Sequence, residues 1–131
     1  MEIKSRKEKG VVILSVDGAM VLQEEQFPVM KRLVQQLKEG EKMFVIDLGK
    51  VTKMDSAGVG ELVAVNVRAK QDGAKVHLAN FDEHVGKILQ MALIHKLMPV
   101  FDTQKEAVAA FRDAAVDDVD PAEALEEVGT E

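Results

Sequence analysis

Short runs of consecutive apolar residues alternate with segments of helical period along this chain, and that alternation limits the fold more than any other feature. Val11-Val12-Ile13-Leu14-Ser15-Val16, Met43-Phe44-Val45-Ile46-Asp47-Leu48 and Lys75-Val76-His77-Leu78-Ala79 are of strand length and almost continuously apolar. Strands of that kind lie inside a sheet that is covered on both faces. Between the first two, Met30, Leu33, Val34 and Leu37 recur at helical spacing, which predicts a helix over residues 24–39 with Gly40 placed to stop it. Pro28 is tolerable there only near the helix start, because a proline deeper inside removes a backbone bond. A second helix is predicted from Asp55-Ser56 to Gln71, ended by Asp72-Gly73. A third, over residues 82–92, places Val85, Ile88, Leu89 and Ala92 on one face. Thr103 and Glu106 form a capping box for a last helix that carries Val108 and Phe111 inward.

At the N-terminus, residues 2–7 alternate and are charged, and Glu8-Lys9-Gly10 reads as a turn. The first two strands therefore form a hairpin with the charged strand at the sheet edge. Asp17-Gly18 reads as the end of the second strand, and Pro99-Val100-Phe101 as a very short one. The order β-β-α-β-α-β-α-β-α predicts an α/β fold. Its sheet is mixed, mainly parallel with an antiparallel edge hairpin, and covered by about four α-helices, most of them on one face.

Charge divides the chain. From Asp113 onward there are eight acidic residues and no Lys or Arg, whereas 15 acidic and 17 basic residues share positions 1–112. A domain over residues 1–115 is expected, followed by an acidic tail over 116–131 that is weakly helical or disordered. No basic stripe is present to displace counterions from a phosphate backbone. With five Phe and no Trp or Tyr there is little to stack on bases, so direct nucleic-acid binding is not expected. The absence of cysteine excludes disulfides and thiolate chemistry and fits a reducing cytoplasm. No stretch approaches the roughly 18 apolar residues of a membrane span, and the first residues lack an apolar leader core. A soluble, cytoplasmic protein with no membrane partner is the expectation.

The informative stretch runs from Val45 to Leu62. A buried strand delivers the chain to a loop, and the loop feeds Asp55 and Ser56 into a helix start, where either side chain can cap the first amides. Gly58 and Gly60 lie inside that helix, each costing about 0.5–1 kcal/mol relative to alanine. A close approach by another backbone or by a partner surface would offset the cost.

Asp55-Ser56-Ala57-Gly58-Val59-Gly60-Glu61-Leu62, following Met54 and an apolar-apolar-Asp-Leu strand, resembles the signature of the STAS family (sulphate transporter and anti-sigma antagonist domains). The resemblance continues through residues 72–78, 85–89 and 97–101 and covers about residues 2–115. It implies an anti-sigma factor antagonist in a bacterial partner-switching pathway. The unmodified protein would bind an anti-sigma factor, a histidine-kinase-like ATPase, which then releases its sigma factor. That partner would phosphorylate the serine matching Ser56, and a PP2C-type phosphatase would reverse the step. The partner-binding surface implied is Met20, Val21, Met54, Asp55, Ser56, Ala57, Gly58, Val59, Gly60 and Glu61. A phosphoryl group adds about −1.5 to −2 charges at a helix end that favours anions, so the fold should survive while docking is lost.

One departure stands out. Many phosphorylated family members carry Gly-Glu-Leu/Ile-Asp after the second strand, where this chain has Gly18-Ala19-Met20-Val21. The acidic residues are missing, which implies a more hydrophobic contact around Met20 and Val21. It also keeps open an alternative, a non-phosphorylated STAS scaffold or adaptor subunit of a signalling or lipid-transport assembly. No enzyme is expected. Asp55 has no second acid, His or Lys at a supporting spacing, His77, His84 and His95 lack metal-ligand spacing, and no phosphate-loop motif is present. Neither cofactor nor metal is therefore expected. Met20, Met30, Met43, Met54, Met91 and Met98 read as core gap-fillers, with Met20 and Met54 also candidates for the binding face.

Overall fold

A computed structural model of the chain describes residues 1–22 and 27–117. The first two strands, β1 (Glu2–Glu8) and β2 (Val11–Met20), are antiparallel and joined by Lys9-Gly10, both at positive φ (53° and 82°). That left-handed pair is the tight-turn geometry whose twist matches the flanking strands. β3 (Met43–Met54), β4 (Lys75–Ala79) and β5 (Val100–Phe101) then add in sequence order, each parallel to its neighbour. The helices among the described residues are α1 (Pro28–Lys38), α2 (Ser56–Gln71), α3 (Glu83–Met91) and α4 (Gln104–Asp117), with a 3-10 turn at Ile94–Lys96.

This strand order explains the layers. Each crossover moves to the next strand in the same direction, and crossovers are right-handed, so their helices fall on one face. Val29 and Leu33 of α1, Leu62 and Val65 of α2, and Val85 and Leu89 of α3 bury against Val12, Leu14, Phe44, Ile46 and Leu78. α4 follows the last strand and is not a crossover, so it is free to cover the opposite face. There Ala107, Val108 and Phe111 pack on Val11, Ile13, Val45 and Ala79. The mixed five-stranded sheet with four helices agrees with the expected fold class.

Several local expectations need correction. β2 does not stop at Asp17-Gly18 but continues to Met20, with register shifts between Ser15 and Asp17 and between Gly18 and Ala19. The extra residues at both shifts lie on β3, where Leu48 and Gly49 face Val16 alone and Thr52 falls between the partners of Gly18 and Ala19, while Asp17-Gly18 stays paired, with Gly18 at φ 122°. β3 likewise runs six residues past Leu48, paired with this end of β2. α1 begins at Pro28, where the missing N–H costs nothing, rather than at residue 24. Residues 23–26 lie outside the described residues. Ala92 is the exposed C-cap of α3 rather than part of its inner face, and Met91 is 83% exposed rather than a core filler. α4 extends to Asp117, and the rest of the acidic tail, 118–131, lies outside the described residues.

Candidate functional site

The long end of β3 delivers Asp55 to the N-cap of α2 in an extended conformation. One carboxylate oxygen accepts from the amides of Ala57 (2.9 Å) and Gly58 (3.2 Å), satisfying two first-turn donors. The other accepts from the amide of Leu22 (3.2 Å), in the loop after β2. Asp55 therefore ties two loops together. The Leu22 amide first, then those of Gly58 and Ala57, hold its carboxyl below the ordinary carboxylate value against an opposing desolvation effect. With its lone pairs committed to three amides, Asp55 is a positioning group and a poor proton acceptor.

Ser56 is the first helical residue and is exposed. Because Asp55 takes the capping role, the Ser56 hydroxyl is left facing solvent, with no hydrogen bond to any described residue. Of the two side chains able to cap the helix, Asp55 is the one that does.

Beneath it the chain is tightly seamed. The amide of Asp55 donates to the carbonyl of Met20 at 3.2 Å, joining the end of β2 to the start of α2. A Cβ at Gly58 would stand 2.2 Å from that carbonyl oxygen and 2.9 Å from Cγ of Met54. Gly58 is required by this close approach. Gly60 is different: nothing lies within 4 Å of a Cβ placed there. The two glycines that look alike in sequence divide into one serving the fold and one facing outward.

The remaining expected contact residues divide in the same way. Val21, Ala57 and Val59 are half-buried, and Gly60 is exposed. Met20 and Met54 are interior at 1% and 6% exposure, and Gly58 is covered, so none of the three offers a side chain to a partner. The methionines fill the β2–β3 overhang, the core role, and the exposed apolar side chain at this end is Leu22, 74% exposed. Glu61 is also interior, 4% exposed, and its carboxylate accepts from the amides of Val29 (2.6 Å) and Met30 (3.0 Å). It caps α1 from α2, because Phe27 at the α1 N-cap supplies no side-chain bond.

Two outward residues escaped the sequence reading. Ser56, Gly60, Val63 and Val67 fall at spacings of four, three and four, hence on one stripe of α2. Val63 is half-buried and Val67 49% exposed. The signal was available in the helix itself, which is apolar on more than its core side. Among the described residues no group of three or more His, Cys, Asp or Glu could hold a metal, and no helix is long and apolar enough to cross a membrane.

The opposite face of the sheet carries a polar network that the sequence did not announce. Asp47, 8% exposed, accepts from the amide of Gly49 (2.8 Å), from Asn80 Nδ2 (3.1 Å) and from Gln104 Nε2 (2.5 Å). Gln104, the first residue of α4, also accepts from the Arg6 guanidinium on β1. Farther along, His77 stacks on Phe111 with ring centres 3.7 Å apart, and its Nδ1 donates to the carbonyl of Ala107 at 2.9 Å.

Comparison with known proteins agrees with this architecture. The chain is 25% identical over 114 residues to BtrV of Bordetella bronchiseptica, described as a candidate anti-sigma factor antagonist, covering 87% of this chain and 97% of that protein. Among solved structures, a candidate anti-sigma factor antagonist from Thermotoga maritima superposes with a TM-score of 0.75 at 22% identity, covering 84% of this chain and 94% of that one. SpoIIAA, an anti-sigma factor antagonist, has been solved in its unphosphorylated form (TM-score 0.62, 16% identity, 85% and 98% covered). The same protein, a Bacillus cell fate determinant, is also known in its phosphorylated form (TM-score 0.62, 15% identity, 84% and 99% covered). At these identities the structural likenesses are of fold. The STAS domain profile itself matches residues 2–107, most of the molecule, and on that ground the chain belongs to the STAS domain family.

Proposed function

We propose that this protein is an anti-sigma factor antagonist, a non-enzymatic cytoplasmic binding switch that controls sigma-factor-dependent transcription through Ser56. The observation that carries the reading is the exposed Ser56 hydroxyl at the start of α2, released from capping by Asp55. The partner is an anti-sigma factor with a histidine-kinase-like ATPase fold, lying along Ser56, Gly60, Val63 and Val67 with Leu22 at its edge. The half-buried Val63 and exposed Val67 on one helical stripe, with the exposed Leu22 nearby, suit a protein surface.

The same partner acts as serine kinase and brings ATP. The Ser56 oxygen attacks the γ-phosphorus, a new O–P bond forms, the bond to the bridging oxygen breaks, and ADP leaves. The hydroxyl proton passes to a base of the kinase, since the oxygens of Asp55 are held by amides. The product places a dianionic group beside Asp55 at a helix N-terminus, where backbone dipoles tolerate it, but where an apolar partner does not. A PP2C-type phosphatase hydrolyses the phosphoserine and restores binding.

Incubation with the histidine-kinase-like ATPases of its organism and ATP, followed by mass-spectrometric mapping, tests the modification. Phosphate is expected at Ser56. Ser56→Asp should lose the partner that Ser56→Ala retains, and equal affinity of the two would remove the switch. The second reading, a non-phosphorylated scaffold or adaptor of a signalling or lipid-transport assembly, is favoured by Ala19, Met20 and Val21, which leave the end of β2 without the expected acids. Under it, Ser56 stays unmodified with every such kinase.

A further inference from the structure

At the end of the molecule away from Ser56 lies a groove of about 580 Å³, open to solvent. Three lysines line it, Lys42 before β3, Lys70 at the end of α2 and Lys75 at the start of β4, and no acidic side chain does. All three are exposed. The ammonium of Lys42 donates to the carbonyl of Asp72 at 2.6 Å, a neutral partner that leaves its charge uncompensated. The apolar lining includes Leu97, 47% exposed, Pro99 and Phe111. Phe111 is the important one. It belongs to α4, which ends at Asp117, six residues or about 9 Å of helix past Phe111.

The residues beyond Asp117 have the complementary chemistry. Positions 118–131 hold six carboxylates (Asp118, Asp120, Glu123, Glu126, Glu127 and Glu131), no Lys or Arg, and the apolar Val119, Leu125 and Val128. We propose that this acidic segment is the occupant of the groove, its carboxylates on Lys42, Lys70 and Lys75 and its aliphatic side chains over the exposed Leu97 and Pro99. Reach is no obstacle, since the segment extends to roughly 45 Å at about 3.3 Å per residue. Single exposed ion pairs are weak, but a short tether holds the segment at an effective concentration of about millimolar or more. The docked tail neutralises the basic end of the domain and covers the exposed apolar edge beside α2. A partner that approaches this end must displace it. The groove lies roughly 20 Å from Ser56 along α2, so this inference stands apart from the Ser56 switch.

The absence of cysteine makes the test direct. Thr130→Cys in the full chain accepts a single nitroxide, and amide spectra are compared before and after its reduction at low salt. Expected is loss of amide signal at Lys70, Gly73, Lys75 and Leu97 in the oxidised sample, with Ser56 and Gly60 unaffected. Lys70→Glu combined with Lys75→Glu should abolish that loss while the dispersion of the remaining spectrum shows the domain still folded. Uniform attenuation, or attenuation centred on the basic residues of β1, overturns the proposal. So does loss at the groove that appears only when spin-labelled and isotope-labelled chains are mixed, because the occupant is then a second copy's tail.

Discussion

Beneath α1, α2 and α3 the sheet presents Val12, Leu14, Phe44, Ile46 and Leu78, whereas beneath α4 it presents Asp47 and His77 beside Ile13 and Val45. The first face is held by apolar packing, by close backbone approaches and by two carboxylates, Asp55 and Glu61, that cap its helices. The second is held by a thinner apolar cluster and by hydrogen bonds to titratable side chains. Ser56 grows from the first. Its surroundings are fixed by the glycine seam and by the Asp55 carboxylate, which three amides hold charged into the acid range, while the α4 face carries the buried imidazole of His77. Under the proposed switch, a surface that receives an added anion is better placed on the first kind of support.

The strongest way to break this comparison is at the seam under Ser56. Gly58→Ala would put a methyl 2.2 Å from the Met20 carbonyl, a backbone atom that cannot move aside by changing rotamer. Relief requires the end of β2 to separate from α2, breaking the bond from the Asp55 amide to that carbonyl. Chemical denaturation should show a loss of about 3 kcal/mol or more, at the upper end for overpacking. Gly60→Ala meets nothing and should be neutral or stabilising, by up to about 1 kcal/mol. If the two alanines cost the same, the rigid seam is not what supports Ser56.

Next in size is Glu61. Truncation to alanine strands the amides of Val29 and Met30 at the start of α1 and should cost about 2–3 kcal/mol in the same measurement. Glu61→Gln keeps an acceptor oxygen where both amides donate and should recover much of that loss. Were Glu61 a surface contact, alanine would leave stability nearly unchanged.

These residues also show how far the sequence could be read. Element order, hairpin, helix stops and capping box were legible because each rests on local chemistry: apolar runs, Lys9-Gly10, Asp72-Gly73, Thr103 with Glu106. The position of Ser56 at a helix start was legible for the same reason. Burial of the neighbouring site residues was not. Gly58 and Gly60 are identical in composition and nearly so in context, and only the path of β2 distinguishes them. Glu61 reads as surface because charged residues usually are, and its inward role depends on a helix thirty residues earlier lacking its own cap. The continuation of β2 beyond Asp17-Gly18 was hidden because that pair also suits a turn, and the irregularities that keep it paired lie on β3.

A smaller effect should come from the α4 face. Burial pushes the His77 imidazole below its ordinary value of 6.5, the bond to the Ala107 carbonyl opposes this, and the charge of Lys75 adds to it. The unfolded chain therefore binds this proton more readily than the folded one. Stability from neutral His77 is fully present above about pH 6.5 and falls as pH drops toward the lowered folded value. Urea midpoints should decrease across that window, and His77→Phe, which keeps a ring against Phe111, should flatten this part of the profile. An unchanged slope in the variant would show that the pH sensitivity lies elsewhere than the α4 face.

The smallest expected effect is the most telling for function. Ser56→Asp places a charge at the first residue of α2, exposed, with helix amides behind it and Asp55 already holding two of them. Attraction to the helix end and repulsion from Asp55 oppose one another, each modest at an exposed position. Stability should stay within about 0.5 kcal/mol of the parent chain, as for surface changes that touch no special contact. Amide spectra should shift only near the start of α2. A protein that loses a partner on this substitution while keeping its unfolding midpoint has separated recognition from folding. A Ser56→Asp chain that unfolds as readily as Gly58→Ala would instead place Ser56 within the seam it stands on.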